Sequence, residues 1–138
     1  MTQQPKALMA PLIYYDLLER PLTALEVYRY LRADASELSF FSACKELKTI
    51  AAESNFIRAN NGLYFLAGRE NIIKTRAKRL KLTQLKWKKL KRIGKYLALV
   101  PFLRLVGVTG SLTSYNTKEQ SDFDLLIIIK KNRLWLGR

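Results

Sequence analysis

The sequence predicts an α+β fold: a helical N-terminal domain closed by a hairpin, a basic helical connector, and the start of a mixed sheet. Three observations predict it. Short amphipathic helices, each with a cap or stop signal, fill the first 55 residues. Two apolar-rich runs then flank Asn60-Asn61-Gly62, a hairpin signal. After a long basic stretch, the β-rich runs Leu105–Thr109 and Leu125–Ile129 begin a second sheet.

The elements follow in order. Ala7–Leu18 has apolar residues at helical spacing, with Pro11 near its start and Pro21 as its stop. Thr23-Ala24-Leu25-Glu26 is a capping box, and Leu22 and Val27 are spaced for a hydrophobic staple. A helix is expected from Ala24 to about Leu31. A third helix is expected after Ser39, because Phe40, Ala43, Leu47 and Ile50 form one apolar stripe. Asn55 is its expected left-handed C-terminal cap. Phe56–Ala59 and Leu63–Leu66 are the expected hairpin strands. Gly68 to about Leu99 reads as helical, divided at Thr83 by a threonine N-cap with Leu82 and Trp87 as its staple. Domain boundaries are therefore expected at 1–67, 68–99 and 100–138.

Composition excludes several chemistries. The 138 residues contain one cysteine, Cys44, and no histidine. A disulfide framework, a thiolate metal cage, an imidazole zinc site and a serine–histidine triad are all ruled out. Apolar runs such as Tyr96–Leu103 are too short to span a bilayer. Met1–Pro5 lacks a charged stretch followed by a long apolar one, so no signal peptide is expected. The expectation is a soluble, cytoplasmic protein without a membrane partner.

The net charge of +14 is concentrated. Residues 1–73 balance 8 basic against 8 acidic side chains, whereas residues 74–95 hold 11 basic and no acidic ones. A field of that sign attracts polyanions. Lys86, Lys88, Lys89, Lys91 and Arg92 are candidate nucleic-acid contacts, as are Lys45 and Lys48 on the outer side of the third helix.

Residues 105–130 carry the candidate chemistry. The first β-run ends in Gly110-Ser111, and Asp122-Phe123-Asp124 precedes the second. Aspartates at i and i+2 on a strand share a face. Two carboxylates so close favour a cation between them, and magnesium prefers oxygen ligands. Gly110 permits close backbone approach. A helix beginning at Ser111 would favour a phosphate at its N-terminus. Asp122 and Asp124 are therefore the candidate metal ligands and catalytic residues, and Gly110 and Ser111 the candidate nucleotide-binding pair.

Two family resemblances follow from these residues. Three short helices and a hairpin over residues 7–67 resemble a winged helix-turn-helix, which implies DNA binding with Ser39–Glu53 as recognition helix. The strand Val106–Thr109, Gly110-Ser111, the spacer Leu112–Ser121 and Asp122-Phe123-Asp124-Leu125 resemble the DNA-polymerase-beta-like nucleotidyltransferase superfamily. More loosely, Gly62–Glu70, Trp87-Lys88-Lys89 and Arg133–Leu136 resemble bacterial proteins that place a winged-helix region before such a domain. The resemblance implies a magnesium-dependent transferase that binds ATP or another nucleoside triphosphate. It further implies Asp122 and Asp124 on the metal, Gly110 and Ser111 on the β- and γ-phosphates, and pyrophosphate as leaving group.

The family takes a third carboxylate from a later strand, and no Asp or Glu lies in Leu125–Arg138. Two apolar strands also make a poor sheet alone. The chain is therefore expected to be a truncated member, complete or active only in a longer form. Two other functions fit the same residues: a winged-helix DNA-binding regulator with an inert transferase remnant, and an antitoxin-like protein that pairs with a partner protein.

Overall fold

The computed structural model describes residues 3–31 and 38–133. The fold is mixed α+β, with four helices and two small antiparallel sheets among the described residues. The chain divides into two compact units, residues 1–76 and 77–138.

The first unit opens with α1, Gln3–Leu17. Its N-terminus lies four residues ahead of the expected one, and Pro11, inside the helix, leaves the Ala7 carbonyl without its i+4 donor. The helix ends before Pro21 through Glu19, whose left-handed conformation (φ 51°) turns the chain. Strand β1, Leu22–Thr23, leads into α2, Ala24–Arg29. The capping box is present as expected. Thr23 Oγ1 accepts from Glu26 N–H at 3.2 Å, and Glu26 Oε2 accepts from Thr23 N–H at 2.8 Å. Helix α3, Phe40–Glu53, starts from Ser39, whose hydroxyl caps Ser42 N–H at 3.2 Å.

The end of α3 differs from expectation. Ser54 is extended (φ −87°, ψ 139°), and Asn55 is not among the positive-φ residues. Ser54 Oγ accepts from Phe56 N–H at 2.9 Å. The exit is thus held by a serine turn that satisfies a donor without a left-handed residue.

Strands β2, Ile57–Asn60, and β3, Leu63–Leu66, form the expected hairpin. Asn61 (φ 49°) and Gly62 (φ 75°) both adopt the positive φ of a type I′ turn. Strand β1 pairs with β3, giving the order β1-β3-β2. Leu8, Leu12, Leu22, Val27, Leu47 and Ile57 are nearly or fully buried and form the centre of this unit's core.

Glu26 ties the unit together. Its Oε1 accepts from Arg20 at 2.7 Å and from Arg76 at 3.1 Å, and its Oε2 accepts from Arg76 at 2.8 Å. Arg76 also donates to the Pro21 carbonyl. Burial alone raises the Glu26 pKa. Hydrogen bonds from Arg76 and Thr23, with the Arg76 charge and Arg20, more than reverse that and hold it at about 2.

Helix α4, Asn71–Leu97, is one unbroken element. Thr83 does not divide it. The residue is fully buried and its hydroxyl donates to the Arg79 carbonyl at 2.8 Å. That i→i−4 bond is made in mid-helix, not at a cap. In the second unit, β4, Leu103–Val108, and β5, Leu125–Ile129, form a two-stranded antiparallel sheet in which Val108 pairs with Leu125. The apolar run Leu125–Ile129 reads as a buried strand by composition, but two strands alone are expected to leave it with an exposed edge, and Leu126, Ile127 and Ile128 are 55%, 40% and 48% exposed. A two-stranded ladder covers neither of its faces fully, so an apolar run is no guarantee of burial. Of the stretch Arg133–Leu136, residues 134–136 lie outside the described ones. No helix among the described residues is long and apolar enough to cross a membrane.

Candidate functional site

The candidate site stands at one end of the β4–β5 ladder. Beyond Val108 the ladder gains one further rung, in which Thr109 N–H donates to the Asp124 carbonyl at 2.8 Å. Thr109 Oγ1 donates to the same oxygen at 3.2 Å. Asp122 and Asp124 therefore precede β5 and do not lie on it, because pairing with β4 ends where that strand gives way to Gly110.

Gly110 then turns the chain at φ +70° into a short 3-10 turn, Gly110–Leu112. A methyl group added to Gly110 would come 2.9 Å from Asp124 Cγ and closer still to Oδ2. The Asp124 carboxylate thus lies directly over the glycine. Both aspartates are exposed, and neither has an ion-pair or hydrogen-bond partner for its carboxylate among the described residues. Among those residues, no three His, Cys, Asp or Glu side chains gather into a metal-holding group. Of the two carboxylates, it is that of Asp124 which lies against Gly110.

The spacer between Gly110 and Asp122 is tied down from within. The Ser111 carbonyl accepts from Ser114 Oγ at 3.1 Å, Asn116 N–H at 3.1 Å and Thr117 Oγ1 at 3.3 Å. Thr113 Oγ1 donates to the Gly110 carbonyl at 2.8 Å. Leu112 and Thr117 are buried beneath it. The Ser111 hydroxyl makes no hydrogen bond among the described residues.

No family model, curated protein or solved structure matches the chain.

Helix α4 holds the spacer from outside. Arg79, itself buried, donates to Asn116 Oδ1 at 3.0 Å. The Lys86 ammonium donates to the carbonyls of Lys118 and Glu119, each at 3.2 Å, and to that of Ser121. Lys89 lies 6.0 Å from the centre of the Phe123 ring, between the two aspartates in sequence. Of the candidate nucleic-acid contacts, Lys86 is therefore engaged within the protein, and Lys89 stands over an aromatic ring. Lys88, Lys91 and Arg92 are exposed.

Sequence reasoning missed the positioning roles of Arg79 and Lys86. The signal was present: at 100° per residue both fall on the helix side of Thr83 and Leu90, the buried one. Cations inside an apolar stripe need partners.

Lys45 and Lys48 are exposed on α3. The outer side of that helix forms a shallow groove lined by Phe41, Lys45, Glu46 and Glu53, among others. The acids sit beside the lysines, so the local charge is mixed.

Proposed function

We propose that the second unit carries the metal- and nucleotide-binding edge of a magnesium-dependent nucleotidyltransferase, which moves a nucleoside monophosphate from a triphosphate to an acceptor. The observation that supports this reading is the seating of the Asp124 carboxylate on Gly110, where a side chain would displace it. That packing gives a physical reason for a glycine and a spaced aspartate at one ladder end.

The donor set fits magnesium, which is commonly held by one or two carboxylates and completes its shell with water and substrate phosphates. Asp122 and Asp124 would hold the ion, which when bound neutralises charge developing on the phosphoryl oxygens. Thr109 fixes the Asp124 backbone through two bonds to its carbonyl. The uncommitted Ser111 hydroxyl is suited to a phosphate tail, and Gly110 adds no side chain beside it.

The test is a magnesium-dependent nucleotide titration on the chain and on the Asp122→Ala/Asp124→Ala variant. Binding that needs both the ion and the aspartates supports the proposal. A folded chain that binds no nucleotide in magnesium overturns it.

A second reading concerns the first unit. The element order α1-β1-α2-α3-β2-β3, with the sheet order β1-β3-β2, favours a winged helix-turn-helix, with α3 as reading helix. This reading expects duplex binding that survives Asp122→Ala/Asp124→Ala and is lost in Lys45→Glu/Lys48→Glu. Duplex binding indifferent to the α3 lysines counts against it.

A further inference from the structure

Helix α4 has two opposite sides within the second unit. Arg79, Thr83 and Leu90 are buried on one. At 100° per residue, Lys78, Lys81, Lys88, Arg92 and Lys95 fall within an arc of roughly 100° centred nearly opposite. All five are exposed, and no acidic residue occurs between Lys78 and Lys95. Only Lys78 has an acidic neighbour among the described residues, Glu119 at 3.8 Å, in a pair that is well exposed on both sides. Such a pair is worth little. The cations span about 25 Å along the helix axis, at 1.5 Å per residue.

We infer that this strip is a docking surface for a nucleic-acid strand, whose phosphates it neutralises in line. Two observations favour that partner over an acidic membrane or an acidic protein. Of the exposed apolar residues of α4 in this unit, Leu85 and Tyr96 fall within the cationic arc itself, Ile93 about 60° beyond its edge and Leu80 on another side, so no apolar face stands apart from the cations. An interfacial membrane helix sets such residues on a face of their own, opposite its cations, and a protein partner needs an apolar centre to bury. Tyr96 also adjoins the strip and is 68% exposed, which offers a ring on which a base can stack. The inference stands apart from nucleotidyl transfer, since none of its residues belongs to the Gly110–Asp124 site.

The experiment is fluorescence anisotropy with a labelled mixed-sequence 20-mer, single-stranded and as a duplex, on the full chain. Five neutralised phosphates give a log–log salt slope of about −3.5 for a single strand and about −4.5 for a duplex. Affinity should therefore fall roughly 100- to 500-fold between 50 and 200 mM salt. Lys88→Glu/Arg92→Glu/Lys95→Glu should abolish binding while magnesium–nucleotide binding and helicity persist. Lys45→Glu/Lys48→Glu and Asp122→Ala/Asp124→Ala should keep it. The salt slope needs no variant, so a poorly folding triple mutant does not remove the test. Absence of binding at 50 mM salt, a slope near zero, or tighter binding to anionic phospholipid vesicles or polyglutamate than to either 20-mer overturns the inference.

Discussion

The space that a side chain on Gly110 would need is filled by the carboxylate of Asp124. Fourteen residues apart in sequence, the two are brought together because Thr109 pairs with the Asp124 backbone at the end of the β4–β5 ladder.

Gly110→Ala tests that relationship. The substitution adds a Cβ in a left-handed conformation and drives it into Asp124. Stability of the second unit should drop by roughly 1–2 kcal/mol, and magnesium-dependent nucleotide affinity should drop at least tenfold. Gly107→Ala is the matched control. Its Cβ would meet Leu105 Cδ2 at an ordinary 3.5 Å, and its φ is not left-handed. Thermal melts and calorimetric titration of both variants read the difference.

Glu26 sets the acid limit of the first unit. Its folded pKa of about 2 lies below its ordinary 4.5. A depressed acid stabilises the fold above its unfolded pKa, and that contribution fades as pH falls toward the folded value. Between pH 4.5 and 2 the unit should lose about 3 kcal/mol from this group. Glu26→Gln should lower stability at pH 7 by about 2–3 kcal/mol and flatten the dependence over that interval. Urea melts followed by circular dichroism at pH 7, 4.5 and 3 give both numbers.

The hairpin tip offers a smaller effect. Gly62 sits at φ +75° with open space around it, so alanine there meets backbone strain and no clash. Gly62→Ala should cost about 1 kcal/mol. Asn61→Gly should be close to neutral, because glycine accepts the same φ. Denaturant midpoints of the two variants should separate accordingly.

Lys86→Met removes the ammonium from three spacer carbonyls while keeping the helix former. Amide exchange at Lys118 and Ser121 should quicken by about tenfold, with α4 unchanged. Exchange measured by mass spectrometry resolves this segment.

What could be read from the sequence was what local chemistry decides. The Thr23–Glu26 box, the helix start after Ser39 and the Asn61-Gly62 turn each depend on residues close to one another in sequence. Thr83 had the same local pattern as a cap, but an unbroken ladder of backbone bonds on both sides turned its hydroxyl back to Arg79. Asn55 was displaced by a neighbour, Ser54, that could satisfy the helix exit with its own oxygen. Exposure of β5 had no local signal, since burial depends on what covers a strand and not on the strand itself. At the candidate site the Gly-Ser and Asp-x-Asp spacing was legible. The contact of Gly110 with Asp124 was not, because it depends on the β4–β5 register. Nor was the offset of both aspartates from β5, which follows from where β4 stops.

The bracketed spacer has one more consequence. With the Ser111 carbonyl taking three donors and Lys86 closing three more carbonyls, the protein's own hydrogen bonds tie down both ends of residues 111–121. Ordering a loop costs about 1–2 kcal/mol of conformational entropy per residue, and here folding has already met that cost. On the proposed reading, a nucleotide binding at Gly110–Asp124 would spend little of its binding free energy on arranging that rim.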